Sequence, residues 1–184
     1  MKKITSIIIC LLIAALFTGC SSTRTTPKCD VIQVIQFSFE EGFLEEDCET
    51  VRRWVDEMPE ILKRNISEVH LVYNIHEIAE ADPMLPITGV TVDQSKIYLN
   101  AETRGKIKKT LYHEAGHCLD FAGKYSETSE WKTVMNAEWK DEGYYSSDME
   151  SFADAIARHY MNTLEDKPQT SKFIEKILEQ QESI

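Results

Sequence analysis

The sequence predicts an α+β domain, a small sheet followed by a helical half, and three observations carry that prediction. Residues 31–39, 68–76 and 87–100 alternate in polarity or run apolar and β-branched, as strands with a buried face do. From residue 107 to residue 181 the apolar residues recur at helical spacing. Between these regions lie short turn-rich connections and no internal repeat, so one compact domain is expected over residues 30–184.

Element by element, Val31, Gln33, Ile35, Phe37 and Phe39 define the first strand. Val51, Trp54, Val55, Met58, Ile61 and Leu62 define a helix that Pro59 should kink or split, because proline removes a backbone donor. Val69, Leu71, Tyr73 and Ile75 predict a second strand from Glu68 to His76. The run Asp82-Pro-Met-Leu-Pro86 is a connection, and Ile87–Val92, Asp93–Ser95 and Lys96–Asn100 follow as strand, turn and strand of a hairpin. Helices are expected over Ile107–Phe121, Glu127–Lys140 with Gly143 beyond its end, Met149–Thr163 and Ser171–Gln181.

The chain opens with Lys2-Lys3 and an apolar run, Ile7–Phe17, too short to span a bilayer comfortably. Phe17-Thr-Gly-Cys20 resembles the lipobox of bacterial lipoproteins, so residues 1–19 read as a signal peptide and Cys20 as a lipidated anchor; an ordinary secretory signal is the plainer alternative. Either way the chain is exported, as a membrane-anchored lipoprotein on the first reading. Residues 20–29 form a polar tether. With 31 acidic and 20 basic side chains the net charge is −11, which argues against nucleic acid as a partner. An oxidising compartment allows Cys29 to pair with Cys48, leaving Cys118 as a buried thiol.

His113-Glu-Ala-Gly-His117 is the chemical centre of the sequence. On a helix, His113 and His117 share one face and can reach a single tetrahedral metal, with Glu114 beside the bound water. Zinc would bring that water's pKa to about 7, and the carboxylate would take its proton and later deliver it to a leaving amine. Two His do not complete such a site. A third His six residues after the second would stand at Gly123, which offers no side chain. Asp120 shares the face of His113 but lies a turn beyond His117, where it suits a bond to nearby backbone or to a His. Glu150 and Asp154 lie four apart on one helical face, so Glu150 can be the third ligand while Asp154 accepts the N–H of a liganding His, with His113 the nearer choice. A solvated acidic face is the competing reading of that spacing. His159 lies on the opposite side of the same helix, and His70 and His76 read as surface or satisfied core residues. Tyr144 and Tyr145, in the loop before Glu150, offer either a hydrogen bond to an oxyanion or aromatic packing.

Taken together, His113-Glu-Ala-Gly-His-Cys-Leu-Asp120, the Tyr-rich loop and Glu150-Ser-Phe-Ala-Asp-Ala155 resemble the anthrax lethal factor-like metallopeptidase domain. This gluzincin group includes secreted bacterial Pro-Pro endopeptidases, and the likeness runs from the hairpin to residue 163. It implies a zincin-like fold, one Zn2+ held by His113, His117 and Glu150, Glu114 as the base, and a Tyr before the third ligand that assists the transition state. Tyr144 and Tyr145 precede Glu150 by six and five residues, whereas the family spacing of seven falls on Gly143.

The expected function is therefore a zinc endopeptidase acting on peptide or protein substrates outside the cytoplasm, held to a membrane by its N-terminal lipid. In zinc peptidases an extended substrate commonly lies along a sheet edge beside the motif helix, a role open to the 87–100 hairpin if it is more than a structural ribbon. The rival is a non-enzymatic surface lipoprotein that uses a zinc-stabilised scaffold to bind a partner. Glu114 argues against it, since a purely structural site needs no base beside the metal.

Overall fold

The computed structural model describes residues 34–140 and 147–182. Its class is α+β. Strands β1 (Gln36–Phe39), β2 (Glu68–Val72), β3 (Gly89–Val92) and β4 (Lys96–Asn100) form one sheet in the order β1-β2-β4-β3. β1, β2 and β4 run parallel, while β3 is antiparallel to β4 and forms an edge. Helices α1 (Glu45–Asp56), α2 (Glu60–Lys63) and α3 (Ile75–Ile78) alternate with the strands, and α4 (Ile107–Gly123), α5 (Ser129–Glu138), α6 (Asp148–Tyr160) and α7 (Pro168–Glu182) follow. No helix among the described residues is long and apolar enough to cross a membrane.

Alternation orients the sheet. Val69, Leu71, Ile97 and Leu99 point to one face and are almost wholly buried, while Glu68, His70, Lys96 and Tyr98 occupy the other. α4 packs on one side against β3 and β4 and on the other against α6, so the helix that carries the two-His motif is the spine of the fold. Phe152 of α6 gathers the helical half: its ring meets Trp131 at 5.4 Å, Tyr125 at 5.7 Å and Phe173 at 6.5 Å. Burying one such ring contributes about 1.5–3 kcal/mol.

Several boundaries differ from the sequence pattern. The second strand stops at Val72, and residues 75–78 are helical. The alternation inverts there, because Val72 is buried and Tyr73 is 43% exposed, stacked on Phe43 at 4.4 Å. Ile75 is buried either way, which is why a strand pattern extended through it. Pro59 does split the predicted helix and starts α2 with φ −60°. α1 begins at Glu45, earlier than its apolar spacing suggests, with Glu45, Glu46 and Asp47 favouring its N-terminus. The hairpin turn places Asp93 and Gln94 at φ 50° and 65°, a conformation more usual for glycine.

Side-chain caps fix the starts of α5 and α6. Thr128 accepts the N–H of Trp131, and Ser147 accepts that of Glu150, which sets the first turns of α5 and α6. α7 starts three residues before its apolar pattern because Glu138, at the end of α5, accepts the N–H groups of Gln169 and Thr170 at 2.8 and 2.9 Å. That cap comes from a distant part of the chain, so local sequence does not announce it.

Candidate metal centre

The site is built on α4 and α6. His113 and His117, four apart on α4, bring their Nε2 atoms to 3.1 Å. Glu150, in the first turn of α6, sets one carboxylate oxygen 3.3 Å from His113 Nε2 and the other 3.4 Å from His117 Nε2. At metal–ligand bonds of 2.0–2.1 Å the edge of a tetrahedron is about 3.3–3.4 Å, so these separations suit one small ion. The three residues could hold a metal ion, and this is the residue group among the described positions with that property.

Why do the helices approach closely enough? Gly116, inside the motif, faces Ala153 of α6, and a Cβ on Gly116 would lie 2.9 Å from the Ala153 Cα. Small residues on both sides let two backbones meet where their ligands must converge.

Glu114 occupies a different surface of α4. Its carboxylate is buried against β3, where Thr91 Oγ1 donates to Oε2 at 2.8 Å. Gly89 makes room for it: a Cβ there would stand 2.9 Å from Glu114 Oε1. The His–His–Glu group and Glu114 open onto a cleft of about 840 Å³, walled by residues 85–91 around the edge strand, by α4 and by Met149, Glu150 and Asp154 of α6.

Burial pushes the Glu114 carboxyl above the ordinary carboxylate range, and the neighbouring His113 and His117 oppose that rise. Hydrogen bonds from His113 and then His117 hold Glu150 far below it. For His117 burial works against the charged form, yet Glu150 and then Glu114 outweigh it and the imidazole is raised. His117 Nδ1 is buried without a hydrogen-bond partner among the described residues. Cys118 is fully buried, its thiol pushed up to about 12 by burial and then by Glu114, as expected of a core residue.

The remaining expected residues stand elsewhere. Asp120 accepts the N–H and hydroxyl of Ser126 at 2.7 and 2.6 Å, anchoring the turn after α4. Asp154 is buried and pairs with Lys109 Nζ at 2.7 Å. Cys20, Cys29, Tyr144 and Tyr145, with Gly143, lie outside the described residues; Cys48 is buried and forms no disulfide among the described residues. His70 bonds Glu68 at 2.8 Å and stacks on Tyr98, and His159 packs edge-on to Tyr160.

Sequence reasoning missed four residues at the cleft. Thr91 and Gly89 act across a strand–helix contact, which no local pattern reveals. His76 lines the cleft because the chain turns helical at Ile75. Lys109 could have been found, since it lies four residues before His113 on the same face.

The fold and centre together define an α+β domain with a His–His–Glu group able to hold a metal ion beside a buried carboxylate. No family model, curated protein or solved structure matches the chain.

Proposed function

We propose that this protein is a zinc-dependent endopeptidase with a zincin-like fold, of the gluzincin kind that its motifs resemble, anchored outside the cytoplasm through Cys20. The observation that carries the reading is the convergence of His113, His117 and Glu150 in the lining of a cleft, with Glu114 next in sequence to His113. Two imidazoles and one carboxylate are the donor set of catalytic zinc sites that keep a position open for water or substrate. When bound, zinc would polarise the scissile carbonyl and make water nucleophilic near neutral pH.

The chain's own residues supply the rest. Glu114 accepts a proton from the attacking water as a carbon–oxygen bond forms at the carbonyl, then passes that proton to the amide nitrogen as the carbon–nitrogen bond breaks. Thr91 fixes the orientation of that carboxylate through its 2.8 Å bond. β3 pairs with β4 on one side and with no other strand among the described residues, so its outer edge would bind the backbone of an extended peptide without demanding particular side chains.

The test compares wild type with Glu114→Gln for zinc content and for cleavage of a peptide library. One zinc per chain in both, with cleavage reduced about 10²- to 10⁴-fold in the variant, supports the reading. Zinc bound by both and no cleavage by either would favour the non-enzymatic scaffold.

A further inference from the structure

We propose that Lys109 and Asp154 form a strut that holds α4 and α6 at the separation the metal ligands need, making Lys109 a positioning residue for the centre. The proposal rests on the metal-binding reading of His113, His117 and Glu150. Lys109 lies four residues before His113, and Asp154 lies four residues after Glu150. The two contacts, Lys109 Nζ to Asp154 Oδ1 at 2.7 Å and His113 Nε2 to Glu150 Oε2 at 3.3 Å, are therefore successive rungs between antiparallel helices. Four residues, about 6 Å along the helix axis, separate them.

Several features make this contact a spacer rather than a surface ion pair. The Asp154 side chain is only 5% exposed, so its carboxylate is held in the interface itself. The Lys109 side chain is 51% exposed and enters from the wall of the cleft. The Glu150 side chain, by contrast, is half exposed and stands in the first turn of α6, so its place depends on where α6 is held. The Gly116–Ala153 approach sets how near the helices can come; the ion pair limits how far α6 can rotate or withdraw.

Electrostatics alone predicts the opposite consequence. Removing a cation beside a cluster that contains Glu114, Glu150 and Asp154 should tighten the binding of Zn2+ or leave it unchanged. A strut predicts weaker binding, because the ligands must then be ordered at the moment the ion arrives.

The experiment measures Zn2+ affinity of the full chain by competition with a chromophoric chelator, at fixed pH and salt, for wild type, K109M, K109R, D154N and K109M/D154N. Circular dichroism reports folding. The strut predicts about 10-fold weaker binding in K109M and D154N, affinity within about threefold of wild type in K109R, and a double variant no weaker than the weaker single one. Unchanged or tighter binding in folded K109M, or additive losses in the double variant, would overturn it. Should K109M fold poorly, a folded K109R that loses about 10-fold overturns it equally. A wild type that binds no Zn2+ removes the centre and the strut together, whereas K109M matching a zinc-binding wild type removes the strut alone.

Discussion

Gly116→Ala is the smallest change that should separate packing from chemistry at this centre. The added methyl would sit 2.9 Å from the Ala153 Cα and 3.2 Å from the Ala153 carbonyl oxygen, both backbone atoms that cannot rotate away. Reaching ordinary contact at 3.4 Å requires α4 and α6 to part by about 0.5 Å. Metal sites tolerate ligand displacements of about 0.2 Å, so Glu150 would no longer close the triangle with His113 and His117. Two stability effects compete: replacing a helical glycine gains up to about 1 kcal/mol, and overpacking costs about 1–3 kcal/mol. We expect a metal-free chain destabilised by about 0–2 kcal/mol and a Zn2+ affinity at least about 10-fold weaker, equivalent to about 1.4 kcal/mol. Chelator competition and thermal melts with and without chelator read the two quantities separately. A variant with a higher metal-free melting temperature and undiminished affinity would mean that the helices are not in contact at this position, and the packing argument would fall.

Other expectations follow from the same geometry. Glu150→Ala should weaken Zn2+ binding far more than Asp120→Ala, whose main effect is about 1–3 kcal/mol of stability through the Ser126 donors it leaves unpaired; the reverse order of affinities would sink the ligand assignment. Thr91→Val should lower turnover about 10-fold with zinc content unchanged, and Thr91→Ser should keep most activity, as steady-state kinetics would show. In chelator, pH should act through His117 and Glu114. His117 is raised above 6.5, so its stabilisation is complete below that pH and is lost as pH climbs through its folded value. Glu114 is raised above 4.5, so the folded state binds its proton more tightly and also loses stability with rising pH, while the depressed Glu150 contributes stability that disappears only in acid. Melting temperature in chelator should therefore fall as pH rises above about 6.5; a rise would contradict these assignments.

Periodicity made the α+β order, the hairpin and the motif helix legible, because alternation and helical spacing report which residues a buried face must receive. It failed where tertiary contacts replaced local ones. Glu138 caps α7 from α5, and Ile75 is buried through a helix where a strand was expected. At the centre, two His on one face and a carboxylate on a later helix could be read from spacing, and the 3.1–3.4 Å convergence fits that reading.

The sequence alone determined the residue types and their spacing: imidazoles four apart, a carboxylate between them, and Glu150 four residues before Asp154. Each spacing is a property of one turn within its own helix. Tertiary structure decided what the donors meet. Gly116 lets α6 come close, Lys109 reaches Asp154, and β3 brings Thr91 and Gly89 against Glu114. Each is a contact between elements separated in the chain, set by the packing of whole helices and strands, and no residue pattern within one element encodes it.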